Sequence, residues 1–280
     1  MYNLRVGVSL GSIAAKGFRD GRYRYEVKQS FEKNLILAKE LGFDTVDVDV
    51  CTTYNPFELD QMLDEICGKI KNSGVSVNAF HMPFGVPWMD LTCPWEEDRV
   101  EMVKWMISAI EKMNSVNPFA YVFHPGTTKV SDAAREKTFD GLCRTANELA
   151  AKTDKVICIE NMVSGNVLSK VDHLEELMAK TKNVSVVLDV NHLLSDKPED
   201  AILRLGKNIK TLHISDYDFV CERHDLPGRG KIEWNKVIGA LDKTGYNGVF
   251  NYEVNFSGYT LADVKENYKQ LFEKYNSQKC

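Results

Sequence analysis

Four short apolar runs in this chain end on a residue that is costly to bury alone. Val184-Ser-Val-Val-Leu-Asp189 closes on a carboxylate, with His192 three residues beyond. Lys155-Val-Ile-Cys-Ile-Glu160 closes on a second acid, Ile209-Lys-Thr-Leu-His213 on an imidazole, and Gly248-Val-Phe-Asn-Tyr-Glu253 on a third acid. Branched apolar runs this short read as strands buried on both faces of a parallel sheet. A carboxylate at the end of such a strand is unfavourable unless it is paired, solvated or bound to a metal. Two acids, a histidine and another acid at successive strand ends predict a metal site assembled from separate strands.

The rest of the chain supplies the scaffold for that assembly. Strands are expected at Arg5–Ser9, Thr45–Val50, Ser76–His81 and Phe119–His124, ahead of the four already named. Helical spacing is expected over Glu26–Leu41, Phe57–Asn72, Glu96–Met113, Ser131–Ala151, Val171–Thr181, from Pro198, Trp234–Thr244 and Thr260–Tyr275. Gly42 and Gly245 are natural helix stops, Ser131 a natural N-cap, and Pro198 suits a first turn. The glycine- and arginine-rich stretch Gly11–Arg24 reads as a loop. Eight strand–helix units without a linker predict a TIM (β/α)8 barrel, a single α/β domain over residues 1–280. An open doubly wound sheet is the weaker alternative, because no glycine-rich phosphate turn follows the first strand.

Charge and cysteines narrow the class. The 35 basic and 40 acidic residues leave a formal charge of −5, which gives no general attraction to nucleic acid or to a membrane surface. Cysteines 51, 67, 93, 143, 158, 221 and 280 are odd in number, scattered and free of CxxC pairs, which suits reduced thiols. The first residues lack the apolar core of a signal peptide, and no apolar run is long enough to span a bilayer. A cytoplasmic protein is expected.

In a barrel every strand points its C-terminal end at one mouth. His81, His124, Glu160, Asp189, His213 and Glu253 should therefore become neighbours, with His192 and His224 just beyond strand ends. Of the six histidines, His173 alone falls on a predicted helix. Three carboxylates in one cavity repel unless protonated or shared by a cation. An oxygen-rich set with one imidazole, Glu160, Asp189, His213 and Glu253, suits a divalent ion: Mn2+, Mg2+, Co2+ or Zn2+. Trp88 would either pack its ring on a bound substrate or anchor its loop, and of Asp47 and Asp49 at most one should face the mouth.

Six short motifs in order carry a resemblance: His-Met-Pro-Phe-Gly at 81–85, Phe-His-Pro-Gly at 123–126, Ile-Glu-Asn at 159–161, Leu-Asp-Val-Asn-His at 188–192, His-Ile-Ser-Asp at 213–216, and Arg-His-Asp-Leu-Pro-Gly-Arg-Gly-Lys-Ile at 223–232. The chain resembles, over nearly its whole length, the xylose isomerase-like TIM barrel superfamily, particularly the sugar phosphate isomerase/epimerase group with ketose 3-epimerases. The resemblance implies Glu160, Asp189, His213 and Glu253 as metal ligands, and His192 as a contact to a substrate hydroxyl or carbonyl. His81, His124, Trp88, Arg223 and His224 complete the expected substrate-binding set. In ketose 3-epimerases an arginine tends to precede the Pro-Gly loop; here His224 stands in that place, with Arg223 one residue earlier.

The chemistry implied is proton transfer beside a ketone. A metal holding the C2 oxygen of a keto-sugar stabilises the enediolate formed on deprotonation. Glu160 and Glu253 would flank the substrate as acid–base pair, removing a proton from one face and returning one to the other. Isomerisation between C1 and C2, or dehydration of a keto-sugar or inosose, would start from the same enolate. The expected partner is a small carbohydrate, with no nucleic acid and no membrane, and barrels of this kind often form homo-oligomers. A competing reading is an endonuclease IV-like enzyme that cuts abasic-site DNA with three zinc ions; its extra ligands would fall on His81, His124, His192, Glu222 and His224. A binding module without catalysis would not need both glutamates.

Overall fold

The computed structural model describes residues 1–279 apart from 13, 20–21, 51–55, 85–88 and 127–128, with backbone alone for 12, 14–19, 22–26, 56–58 and 132. Eight parallel strands form the barrel: β1 (Arg5–Ser12), β4 (Thr45–Asp49), β5 (Val77–His81), β6 (Ala120–Phe123), β7 (Val156–Glu160), β8 (Val184–Asp189), β9 (Ile209–His213) and β10 (Val249–Tyr252). They are hydrogen-bonded in the order β10-β1-β4-β5-β6-β7-β8-β9. The ring closes just past β9, where Ile214 N donates to Asn251 O at 2.8 Å and Glu253 N donates to Ile214 O at 3.0 Å. Eight helices alternate with the strands: α1 (Gln29–Glu40), α2 (Pro56–Ser73), α3 (Glu96–Met113), α4 (Asp132–Ala151), α5 (Val171–Lys180), α6 (Pro198–Leu205), α7 (Trp234–Thr244) and α8 (Leu261–Gln278).

One expected loop is a hairpin instead. Strands β2 (Ala14–Arg19) and β3 (Arg22–Val27) pair antiparallel, Ala14 opposite Val27 and Arg19 opposite Arg22. The signal was the strict alternation Arg22-Tyr-Arg-Tyr-Glu-Val27, a two-residue period outweighed by the turn-rich composition around it. Because Glu26 and Val27 belong to this strand, the first helix starts at Gln29 and not at Glu26.

Alternation along the barrel strands sorts their side chains. Val46, Val48, Phe80, Ile157, Ile159, Val186, Leu188 and Phe250 join the large core shared with the helices, all 0% exposed. Ala79, Ala120, Val122, Cys158 and Val187 form a separate small cluster inside the barrel. Two residues further along the same strands stand His81, His124, Glu160 and Asp189. The barrel floor is thus small and apolar, and the next tier toward the mouth is polar. On the β4 side the floor is polar too: Asp47 Oδ1 accepts from Asn78 Nδ2 at 2.8 Å and from Ala79 N at 3.0 Å, and Asn78 Nδ2 also lies 2.9 Å from Thr211 Oγ1. Gly7 is required here, since a Cβ would sit 2.6 Å from Val249 Cγ1 and 2.7 Å from Asn251 Oδ1.

Helix ends follow their local chemistry. Thr260 caps α8 through a reciprocal pair with Asp263, each side chain accepting from the other's backbone N–H. Gly245 ends α7 in the left-handed region at φ 71°. Ser131 precedes α4 as expected but makes no capping hydrogen bond with its side chain.

Candidate active site

Five of the six histidines gather at the mouth. His173 does not; it lies on α5, where its Nδ1 accepts from Ser169 N at 3.3 Å. Glu160, the last residue of β7 and 1% exposed, is the hub. Its Oε1 lies 2.8 Å from His213 Nδ1, and its Oε2 lies 3.0 Å from His81 Nε2 and 3.3 Å from His124 Nε2. His213 Nδ1 is also 3.0 Å from Glu253 Oε2. Asp189, at the end of β8, is fully buried; its Oδ1 accepts from Asn191 N at 2.7 Å, while Oδ2 has no hydrogen-bond partner among the described residues. Glu160, Asp189, His213 and Glu253 each offer one ligand atom within 4.8 Å of the others, so the structure brings the four expected ligands together.

A second group forms beside it. His192 Nε2 is 3.4 Å from Asp189 Oδ2 and 3.5 Å from Glu222 Oε1, and its Nδ1 lies 2.8 Å from Asn161 O. The carbonyl can only accept, so Nδ1 carries a proton and Nε2 faces the acids. Glu222 also reaches His224 Nε2 at 2.8 Å. His224 sits at φ 53°, an uncommon conformation for a non-glycine residue. It is held by its own side chain, Nδ1 to Glu253 O at 3.0 Å, and by Asn255 N donating to its carbonyl at 2.8 Å.

The loop that delivers Glu222 and His224 is built on Asp216, from the His-Ile-Ser-Asp motif. Its backbone pairs with Asp225 in both directions, at 2.7 and 3.0 Å. Its fully buried carboxylate accepts from four donors: Tyr217 N (2.9 Å), Ile232 N (3.1 Å), Gly228 N (2.7 Å) and Trp234 Nε1 (2.9 Å). Gly230 packs against this knot so closely that a Cβ would lie 2.3 Å from Asp216 Oδ1 and 2.3 Å from Tyr217 O. The Pro-Gly-Arg-Gly sequence therefore serves loop geometry.

Electrostatics at the mouth couple acids to imidazoles. Burial works against charge on every group, yet His213 is held well above the usual histidine range by Glu253 and Glu160. In turn Glu160 is held well below the usual carboxylate range by His213, His124 and His81, and Glu253 is lowered to about 2 chiefly by His213. Against the same burial cost, Glu160 raises His81 to about 9, Asp189 and Glu222 raise His192 to about 10, and Glu222 and Asp189 raise His224 to about 9. His124 is the exception, lowered because burial outweighs Glu160. Burial pushes Asp189 up to about 6.

Glu160, Glu253, Glu222 and four of these imidazoles, His81, His124, His192 and His224, line a cavity of about 410 Å³ together with Asp49, Phe84, Lys129, Met162 and Asn166, while Asp189 and His213 lie buried behind its wall. Asp49 is the mouth-facing member of the Asp47/Asp49 pair. Phe84 stacks on His124, with centroids 4.2 Å apart, and meets His81 edge-on at 5.0 Å. Phe84, Lys129 and Asn166 were not singled out from sequence; only Phe84 carried a signal, its place in the His-Met-Pro-Phe-Gly motif. Arg223 is not brought to the cavity: it is half exposed and pairs with Asp218 at 2.5 Å. Trp88 lies outside the described residues. All five described cysteines are unpaired, and Cys158 is buried in the barrel floor.

Known proteins share this fold. The family model described as "Xylose isomerase-like TIM barrel" matches residues 35–277. A solved D-tagatose 3-epimerase-like protein superposes over 99% of this chain and 100% of its own, with a TM-score of 0.78 at 20% identity. The D-psicose 3-epimerase of Clostridium cellulolyticum H10 covers 98% of this chain and 99% of its own, with a TM-score of 0.74 at 16% identity. In sequence, the Malacoplasma penetrans protein named "Probable endonuclease 4" is 26% identical over 207 residues, 65% of this chain and 70% of that one. The match spans less than two thirds of the first curated relatives' own length, 64% of one and 42% of another. Among the described residues no helix is long and apolar enough to cross a membrane. With eight parallel strands closed around this mouth and a family match over most of its length, the chain belongs to the xylose isomerase-like TIM barrel family.

Proposed function

We propose that this protein is a divalent-metal-dependent carbohydrate isomerase or epimerase, moving a proton on the carbon beside the carbonyl of a keto-sugar. The observation that carries the reading is the quartet Glu160, Asp189, His213 and Glu253, converging from four adjacent strands. Their donor set fits a divalent cation: three carboxylates face one another, and Asp189 Oδ2 is buried without a hydrogen-bond partner among the described residues. Such an ion would polarise the sugar carbonyl and acidify the neighbouring C–H.

The remaining chemistry falls to the chain's own side chains. Glu160 at the end of β7 and Glu253 just past β10 come from opposite ends of the ligand arc, so a sugar seated between them meets one carboxylate on each face. One glutamate takes the proton and the other returns one, which inverts the centre; General acid–base help of this kind is worth roughly 10²–10⁴-fold in rate. His192, with Nδ1 tied to Asn161 O, presents Nε2 toward the acids and a substrate oxygen. The 410 Å³ cavity falls within the range of about 300–1,000 Å³ typical of small-molecule pockets. Epimerase neighbours in structure support a small carbohydrate as substrate. The unpaired cysteines support a reducing compartment, and we place the protein in the cytoplasm.

The test is to load purified protein with Mn2+, Mg2+, Co2+ or Zn2+, measure bound ion, and assay ketoses, ketose phosphates and inososes in deuterated water. Solvent deuterium should appear in the product at the carbon beside the carbonyl. Glu160→Gln and Glu253→Gln should each abolish turnover, and one of them should still exchange that proton from a single face. Failure to retain any ion after loading would sink the reading, as would product formed without solvent label across several good substrates.

One observation favours a second reading, a three-metal endonuclease. His81 and His124 gather on Glu160, and His192 and His224 on Asp189 with Glu222 in contact with both, so two further candidate ligand groups share a carboxylate with the quartet. Retention of three zinc ions per chain with cleavage of abasic-site DNA would establish it in place of the first. The net charge of −5 weighs against it.

A further inference from the structure

On the wall of the mouth opposite Asp189, the last residue of β4 is a carboxylic acid with no assigned task. We propose that Asp49 is a substrate-binding residue, its carboxyl group holding a hydroxyl of the keto-sugar on the side away from the ligand quartet. This rests on the carbohydrate reading above.

Three observations carry the assignment. In the strand order, β4 lies four positions from β8 whichever way the ring is followed, so Asp49 and Asp189 face each other across the mouth. Asp49 is in register with His81 on β5 and lines the same cavity as His81, His124, Glu160 and Glu253. Its Oδ1 is buried and has no hydrogen-bond partner among the described residues.

The contrast with Asp47, two residues earlier on the same face, separates a ligand group from a structural one. Asp47 Oδ1 is committed to the barrel through Asn78 Nδ2 and Ala79 N. Asp49 Oδ1 has no such commitment among the described residues, and a buried acceptor left without a donor costs about 1–3 kcal/mol. Nor does Asp49 fall into any of the three candidate metal groups found among the described residues. A sugar hydroxyl both donates and accepts, so it satisfies this acid whether or not it is ionised. Burial, reinforced by Glu253 and Glu160 and opposed by His81, raises the Asp49 carboxyl above its ordinary range, which favours the form that donates.

The experiment compares wild type, Asp49→Ala and Asp49→Asn, each loaded with Mn2+, on the best ketose found and on analogues lacking one hydroxyl in turn. Asp49→Ala should lose about 10- to 100-fold in kcat/KM, the range for a hydrogen bond to an ionisable group. Its bound Mn2+ should match wild type and its thermal midpoint should not fall. One deoxy analogue should lose a similar factor with wild type and nothing further with Asp49→Ala, since the contact is already gone. Asp49→Asn keeps the shape and should show the same coupling with a smaller loss, which preserves the test if the alanine variant folds poorly. Intact turnover in Asp49→Ala, or losses that multiply for every analogue, would overturn this assignment alone. A Mn2+-loaded wild type that neither binds nor converts any ketose would overturn it together with the carbohydrate reading.

Discussion

Asp216 is the place where a single oxygen atom can be weighed. Replacing it with asparagine keeps the shape but turns one of the two acceptor oxygens into an NH2 group. In the native loop each oxygen takes two N–H donors, Tyr217 and Ile232 on Oδ1, Gly228 and Trp234 Nε1 on Oδ2. Either orientation of the amide leaves two donors facing a third donor, both of them buried on the Oδ1 side, and Trp234 Nε1 buried with Gly228 N part-buried on the Oδ2 side. At about 1–3 kcal/mol for each buried group left unsatisfied, the sum is about 2–6 kcal/mol, and relaxation of the loop should bring it to about 3. Domain stabilities run about 5–15 kcal/mol, so the variant should fold and its loss should be measurable.

The assay is urea unfolding followed by both circular dichroism and tryptophan fluorescence, with Trp234 reporting on the loop itself. The midpoint should fall with little change in slope, which identifies a stability effect. Because the same loop carries Glu222 and His224, binding of a first Mn2+ at the quartet should be nearly kept. Any ion held at the His192–Glu222–His224 corner should be lost. A midpoint within about 0.5 kcal/mol of wild type would refute the claim that this carboxylate organises the loop.

Gly230→Ala should destabilise by about 1–3 kcal/mol or more, since its Cβ would lie 2.3 Å from a backbone oxygen and a buried carboxylate; an unchanged melting temperature would contradict that packing. Divalent-ion affinity should weaken as pH falls, because His213 is held protonated by Glu253 and Glu160 and must lose that proton before Nδ1 can bind; calorimetry in buffers of different ionisation enthalpy should show protons released on binding, and none released would contradict it. His192→Ala should weaken turnover or substrate binding while leaving the quartet's ion in place, and loss of that ion on elemental analysis would put His192 among its ligands.

The barrel and the quartet were legible because both are written in strands. A run such as Val184–Asp189 carries its period and its polar end within six residues, and eight such runs ending at one mouth fix which ends meet. What escaped lies off that grammar. The β2–β3 hairpin was hidden by glycines and arginines around its alternation. The family resemblance put Arg223 in the substrate-binding set, one residue ahead of the place where relatives carry an arginine, but the loop's path turns it to Asp218 and gives the inward places to Glu222 and His224. That path depends on Asp216, whose four donors come from residues 217–234 and cannot be paired from spacing alone. Lys129 and Asn166 reach the cavity from loops, where no periodicity marks an inward direction.

The composition of the mouth then has a physical explanation in proton balance. Glu160, Asp189, Glu253, Glu222 and Asp49 meet five imidazoles, and carboxylates this crowded need compensating positive charge. In the ion-free state that charge comes from protons, which is why His81, His192, His213 and His224 are all raised despite burial. A divalent ion at the quartet would supply the same charge from one point, and the imidazole that ligates it would give its proton up. The histidines that do not ligate would then remain as donors directed at bound oxygen atoms. A mouth with as many imidazoles as acids can thus keep its fold without an ion and present hydrogen-bond donors with one, which a mouth of carboxylates alone could not do.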